Sequence, residues 1–171
     1  SEESPGASAH IAIGLSSFGM NVSFHTALGD DSEGKSIINT LNGLSISTDN
    51  VRLIPSRETL TKIRFFGSRE SLLDRGQILL QADRGTNEPV SQDVSSDLTS
   101  SALKDLGDSC ALVISDYDKG VVTTDESLKL ISKANKIGIP IIVDPKLTGL
   151  EKSRGASVVI FEKRGMSLLA R

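Results

Sequence analysis

The chain has 171 residues, 37% of them hydrophobic, which is enough for one domain with a substantial core but too few for two full domains. Its formal net charge is −3, with acidic and basic residues interspersed, which argues against nucleic acid as a partner. No apolar run approaches the roughly 20 residues that span a bilayer, and no charged-then-apolar leader opens the sequence, so we expect neither membrane attachment nor export. The single cysteine, Cys110, begins an apolar run; we expect it to be buried, in a cytoplasmic protein.

The first third of the sequence predicts a helix, a strand and a second helix joined by short loops. Residues 7–18 place small and apolar side chains on one helical face, and residues 21–28 alternate as a strand does. Turn residues follow at 29–31, and Ser32 is positioned to cap a helix with apolar residues at helical spacing. Polar, turn-prone residues at 45–50 end this part of the chain.

The middle of the sequence predicts a β-hairpin. Residues 59–66 and 77–82 are rich in Thr, Ile, Phe and Leu, and residues between them are typical of turns. A hairpin inside an alternating α/β chain projects from the sheet or forms an antiparallel edge, and both arrangements are compatible with a lid over a ligand. We assign residues 57–84 to this lid. Residues 98–106 then indicate another helix that ends at Gly107.

Two matched apolar segments follow, and each stops at Asp and Lys. Residues 111–120 and 139–146 read as parallel strands, and residues 125–136 between them have helical spacing. In an open α/β sheet, ligands bind outside the carboxyl ends of the strands, where Asp116, Lys119, Asp144 and Lys146 are expected. The segment after residue 148 is too short and charged to assign, and residues 157–161 and 166–170 predict a closing hairpin.

Three groups of residues are candidates for ligand contacts, and each has a simpler structural alternative. The helix mouth at Gly6 and Ala7 offers free N–H groups to an anion, although an ordinary helix start is favoured on the motif alone; His10, one turn later, is either a polar contact or a partly buried side chain. Lys62 and Arg64 on the hairpin are either ligand contacts or edge protection. For Asp116, Tyr117, Lys119, Asp144 and Lys146 the functional interpretation is favoured over a solvated loop, because two adjacent strands end in the same chemistry.

With these residues in view, the chain resembles the ribokinase-like (PfkB) carbohydrate kinases, and within them the D-glycero-β-D-manno-heptose-7-phosphate kinases of ADP-heptose synthesis. The likeness extends over nearly the whole chain. The Thr-Lys-x-Arg lid strand favours the heptose branch over other sugar kinases. The matching segments are Pro5-Gly-Ala-Ser-Ala-His-Ile-Ala12, Leu28-Gly-Asp-Asp31, Leu60-Thr-Lys-Ile-Arg64, Val113-Ile-Ser-Asp-Tyr-Asp-Lys-Gly120, Val143-Asp-Pro-Lys146, Arg154-Gly-Ala156 and Gly165-Met-Ser-Leu-Leu169.

The resemblance implies an α/β fold for residues 1–171, as part of one ribokinase-like three-layer sandwich with a mostly parallel central sheet and a small β lid. It also implies phosphoryl transfer from ATP, with magnesium, to a ring hydroxyl of a heptose 7-phosphate. A homodimer formed through the lid is a separate expectation, based on the hairpin. The nucleotide contacts that the resemblance implies are Asp144 and Lys146. The sugar contacts it implies are Gly6, Ala7, His10, Lys62, Arg64, Asp116, Tyr117 and Lys119.

Two motifs of these kinases are missing from the sequence. The Asp-Thr-x-Gly-Ala-Gly-Asp segment, which supplies the anion hole and the catalytic Asp, is absent, and so is the Asn-x-x-Glu motif near the metal. We therefore expect an incomplete representative of a longer kinase, with chain missing near residues 155–159, that is inactive alone. Alternatives are a non-catalytic sugar-phosphate or nucleotide-binding relative, another PfkB-type sugar kinase, and an interaction domain that dimerises through the hairpin.

Overall fold

The computed structural model describes residues 4–67 and 77–169. Helices and strands alternate through most of the chain, as the sequence predicts, and a projecting pair of strands interrupts them. The helices are α1 (Ala7–Ser17), α2 (Ser32–Gly43), α3 (Gln92–Asp105), α4 (Thr124–Ile137) and α5 (Lys163–Leu169). The strands are β1 (Thr26–Gly29), β2 (Val51–Ile54), β3 (Thr61–Gly67), β4 (Gln77–Arg84), β5 (Leu112–Asp116), β6 (Ile141–Pro145) and β7 (Val158–Val159).

The parallel strands form two hydrogen-bonded sets. β1 pairs with β2, and β5, β6 and β7 pair in that order, with Ser115 opposite Asp144 and Asp116 opposite Pro145. This register brings the carboxyl ends of β5 and β6 to one edge, as predicted. β3 and β4 form a separate antiparallel hairpin with a bulge between Phe65 and Phe66.

The β5–α4–β6 unit forms because its local signals agree. The Thr123 side chain accepts a hydrogen bond from the Glu126 N–H to cap α4, and Gly138 ends the helix in the left-handed conformation at φ 77°. The apolar face of α4 packs on the two strands in one core cluster. The buried members of that cluster are Leu106, Ile114, Ile131, Ala134, Ile141 and Val143.

The structure corrects one prediction about the first third of the chain and adds one strand there. Asp31, and not Ser32, caps α2, because Oδ1 of Asp31 accepts the Gly34 N–H at 2.8 Å while the Ser32 hydroxyl donates to Glu33. Residues 51–54, which have no predicted element, form the strand β2. The predicted turn residues between 68 and 76 lie outside the described residues.

The predicted closing hairpin is wrong. β7 extends the parallel set, because the Ser157 N–H donates to the Ile141 carbonyl and the Ile160 N–H donates to the Val143 carbonyl. Residues 163–169 are the helix α5, not a strand. The expected burial of Cys110 is also wrong: this residue precedes β5 and is exposed. No helix within the described ranges has the length and apolar character needed to cross a membrane.

Candidate functional site

A cleft of about 630 Å³ opens at the carboxyl ends of β5 and β6. The site residues predicted at the two strand ends all line it: Asp116, Tyr117, Lys119, Asp144 and Lys146. The remaining lining residues are Asp118, Pro145, Leu147, Thr148, Ile160, Phe161, Glu162, Gly165 and Leu168. The cleft therefore combines carboxylates and lysines with an apolar wall contributed by the C-terminal residues.

Asp116 is a buried residue of the cleft at the end of β5. It is 3% exposed, and both carboxylate oxygens have protein partners. Oδ1 accepts the Asp118 N–H at 2.9 Å, and Oδ2 accepts Lys152 Nζ at 2.8 Å. Because both of its oxygens are engaged, Asp116 is suited to holding the following loop in place.

The loop after β5 is held in an uncommon conformation. Asp118 is a non-glycine residue at φ 55°, in the left-handed region. Its Oδ2 accepts the Thr148 hydroxyl at 2.9 Å, and Lys152 Nζ lies 3.9 Å from its Oδ1. The turn after β6 thus fixes the loop after β5, so the two predicted strand ends form one unit.

Tyr117 stands between the acidic and basic groups at the end of β6. Burial, followed by the charge of the neighbouring Asp144 carboxylate, raises the pKa of the Tyr117 phenol. Nζ of Lys146 lies 4.9 Å from the centroid of the Tyr117 ring, within cation–π range. Asp144 is half-buried and Lys146 is exposed, so their polar ends can be reached from solvent.

The lid residues Lys62 and Arg64 lie on β3 and are exposed, outside the lining of this cleft. Lys62 Nζ bonds both carboxylate oxygens of Asp83 on β4, at 2.8 and 2.9 Å. This bond lowers the pKa of Asp83, and the positive charges of Lys119 and Arg64 lower it further. Lys119 therefore links the cleft electrostatically to the acidic position on the lid.

Asp31 holds the residues that lead into β3. Its Oδ2 accepts the Thr59 N–H and its Oδ1 accepts the Thr59 hydroxyl, both at 2.7 Å. Burial opposes ionisation of this carboxylate, but the bonds from Thr59 and Gly34 outweigh it, and the pKa of Asp31 is lowered. The Gly-Asp-Asp segment seen in the sequence thus joins the start of α2 to the residues that precede β3.

Two of the three predicted helix-mouth residues are not brought to the cleft. Gly6 is the N-cap of α1, which begins at Ala7, and neither Gly6 nor His10 lines the cleft. His10 is exposed, so the alternative of a partly buried side chain is wrong. Their predicted contact with sugar remains a prediction.

Sequence reasoning missed Lys152, Thr148 and Arg57. The first two lie in a 3-10 segment, Leu147–Ser153, that carries no helical or strand period. Arg57 lies in the connection between β2 and β3, where Nη1 donates to the Glu88 carbonyl and Nη2 to the Lys119 carbonyl. The sequence signal that could have pointed to Arg57 and Lys152 is their positive charge, close to the lid and to the Asp-Pro-Lys segment. Thr148 has no such signal.

Relatives of known identity match most of this chain, although no protein-family model matches it. Over 164 residues it is 32% identical to the bifunctional protein HldE of Salmonella dublin, an alignment that covers 92% of this chain and 31% of HldE. The fold is similar to that of Arabidopsis thaliana ribokinase complexed with ribose and ATP, at a TM-score of 0.63 and 18% identity over 91% of this chain and 47% of that one. Fructokinase with bound ATP from Xylella fastidiosa gives a TM-score of 0.67 at 14% identity, over 97% of this chain and 52% of the fructokinase.

These likenesses confirm the resemblance carried by the motifs and the fold class that it implies. The chain spans about a third of the length of the curated relatives it matches and about half of the solved kinases, in line with the expectation that the fold is present incompletely. The chain is therefore related to the HldE proteins over 92% of its length, and its fold is that of the ribokinase-like (PfkB) carbohydrate kinases.

Proposed function

We propose that this chain supplies the ligand-binding wall and the lid of an ATP-dependent sugar kinase whose acceptor is a heptose 7-phosphate. The observation that carries the proposal is the meeting of Lys119, Tyr117, Asp144 and Lys146 in one cleft at the carboxyl ends of parallel strands. Lysine ammonium groups are suited to phosphate oxygens, and carboxylates and phenols to sugar hydroxyls. We assign Lys119 and Tyr117, with Lys62 and Arg64 of the lid, to the sugar phosphate.

Asp144 and Lys146 are the residues that we assign to the nucleotide. Magnesium bound with a nucleotide usually takes one or two carboxylates together with the phosphates. Within residues 4–67 and 77–169, no three His, Cys, Asp or Glu side chains are grouped to hold a metal by themselves. Asp144 supplies one carboxylate, which is enough for a magnesium ion that is also held by nucleotide phosphates. Lys146 lies in the same cleft and offsets phosphate charge, so the residues present fit a nucleotide-bound ion. That ion would neutralise charge on the transferred phosphoryl group.

Phosphoryl transfer also needs a carboxylate base for the attacking hydroxyl, and the Gly-Ala-Gly-Asp segment that supplies it in this family is absent from the 171 residues. We therefore propose that these residues bind and orient the ligands, and that they do not turn them over alone. A non-catalytic sugar-phosphate or nucleotide-binding relative is the alternative, and a different sugar as acceptor is a second. A cytoplasmic location is part of the same proposal.

Binding of a sugar phosphate and of ATP is the direct test. We expect a heptose 7-phosphate and ATP with magnesium each to raise the melting temperature of the wild-type chain, because a ligand at 100 times its Kd stabilises the folded state by about 2.7 kcal/mol. Lys146→Ala is expected to weaken ATP binding about tenfold, which is the loss of one charge-assisted contact. Calorimetric titration measures the Kd of ATP and the Kd of the heptose 7-phosphate.

Lys136→Ala is the matched control, because Lys136 is an exposed lysine in the last turn of α4, outside the cleft. It is expected to bind ATP like the wild type. Equal losses in the two variants would assign the effect to net charge, and no response to ATP or to any sugar phosphate would contradict the proposal. Stabilisation by fructose 6-phosphate but not by a heptose 7-phosphate would show that the acceptor is a different sugar from the one proposed.

We also propose that the chain forms a homodimer through the hairpin. Five large apolar side chains of β3 and β4 are more than half exposed, on a two-stranded element that cannot bury them alone. These side chains are Phe65, Phe66, Ile78, Leu79 and Leu80.

Leu79→Lys is expected to convert this dimer to a monomer, because it places a charge at the most exposed of these five apolar positions. Sedimentation equilibrium gives the mass. Phe18→Lys, which changes an 83% exposed apolar residue at the end of α1, is expected to leave the dimer intact. A wild-type chain that is monomeric at all accessible concentrations would rule out this interface.

A further inference from the structure

Arg57 joins three segments that are far apart in the sequence. It lies between β2 and β3, at the point where the chain enters the lid. Its two terminal nitrogens reach in different directions: Nη1 donates to the Glu88 carbonyl at 2.8 Å, and Nη2 donates to the Lys119 carbonyl at 2.7 Å. The planar guanidinium is suited to this use, because its donors are held in a fixed fork.

The two segments that Arg57 bonds are themselves in close contact. The Val90 N–H donates to the Gly120 carbonyl at 2.8 Å, next to the residues whose carbonyls Arg57 binds. The chain reaches Glu88 directly after leaving the lid at the end of β4. Arg57 therefore ties the entrance of the lid to its exit, and both to the loop that carries Lys119.

We propose that Arg57 is a positioning residue that couples the lid to the Lys119 side of the cleft, so that ordering of the lid fixes Lys119 for the sugar phosphate. The role of the sugar phosphate rests on the function proposed above, whereas the coupling between the lid and the loop that carries Lys119 does not. The charge of Lys119 already acts on Asp83 of the lid, so the two regions are linked through both the backbone and the electrostatic field.

Hydrogen exchange in the ligand-free chain tests the coupling. In Arg57→Ala we expect exchange to rise at least tenfold in peptides that cover residues 86–90 and 117–121, while peptides within β5 and β6 keep their wild-type rates. Arg57→Lys is expected to behave similarly, because one ammonium group keeps the charge but does not reach both carbonyls in the fork geometry. If the alanine variant does not fold, the lysine variant is the test.

Arg52→Ala is the control, since Arg52 lies on β2 and bonds Asp97 and the Asp49 carbonyl away from the lid. It is expected to leave both loops at wild-type rates. Unchanged loop exchange in Arg57→Ala, full recovery by Arg57→Lys, or an equal rise throughout β5 and β6 would each overturn the proposal, the last because it reports a general loss of stability.

A binding measurement separates this proposal from the function. With Arg57→Lys we expect about tenfold weaker binding of the sugar phosphate and unchanged binding of ATP, because Asp144 and Lys146 are not bonded by Arg57. A wild-type chain that binds neither ligand would sink the proposed function, while the exchange result would still decide the coupling. Equal weakening of both ligands would overturn the coupling.

Discussion

Replacement of Gly120 by alanine is expected to lower the free energy of unfolding by about 3 kcal/mol or more. Gly120 adopts φ 75°, and a Cβ at this position would lie 2.2 Å from the carbonyl oxygen and 2.6 Å from the carbonyl carbon of Glu88. Both atoms belong to the backbone, so they yield only if the two loops separate. The Val90 to Gly120 hydrogen bond and the contacts of Arg57 would then be disturbed together.

Gly138→Ala is a matched control for that change. Gly138 has nearly the same conformation, φ 77°, but no atom lies within 4 Å of the position of its Cβ. It should show the conformational cost alone, about 1 kcal/mol. Urea unfolding measures both variants, and a loss in Gly120→Ala no larger than that in Gly138→Ala would show that the two loops do not need their close approach.

Lys152→Ala is expected to cost about 3–5 kcal/mol, because it leaves the Asp116 carboxylate buried without its counter-charge. The side chains of Lys152 and Asp116 are 12% and 2% exposed, so water does not readily take the place of the ammonium group. The change also frees the loop that Asp116 anchors. Urea unfolding measures the loss, and a weaker affinity for the sugar phosphate is expected to accompany it.

Two further variants identify the cause of the stability loss in Lys152→Ala. Lys129→Ala removes a lysine that bonds the buried Glu126 but is itself 58% exposed, and it is expected to cost less than 1 kcal/mol because water replaces it. Asp116→Asn in the Lys152→Ala background is expected to recover part of the stability, since it removes the unpaired charge. If the double variant is no more stable than Lys152→Ala, the loss comes from packing of the lysine stem.

The elements that the sequence predicts are those with local signals. α4 follows from the helical spacing of residues 125–136, and the hairpin follows from two β-rich runs separated by turn residues. The prediction of a closing hairpin at the end of the sequence is wrong because its evidence was only local. A run such as residues 157–161 is apolar enough for a strand, but its partner is β6, and the pairing depends on contacts across the fold that no local pattern records.

The same distinction applies to the site. The ends of β5 and β6 meet because parallel strands run in one direction, so the meeting of Asp116 with Asp144 is predictable once the strands are assigned. The role of Asp116 is not, because the partner of its buried carboxylate comes from Lys152 in an irregular segment. Arg57 has no period or motif at all; its importance lies in two backbone carbonyls supplied by other segments.

The exposure of the hairpin also has a consequence for ligand affinity. Every residue of β4 is exposed, and a two-stranded hairpin is at best marginally stable by itself. Any ligand that requires an ordered lid must therefore give up part of its intrinsic affinity to populate the competent arrangement. A second subunit seated on the hairpin would already have met that entropic cost, so ligand affinity would rise with protein concentration. By reciprocity, the ligand would tighten the association of subunits by the same factor.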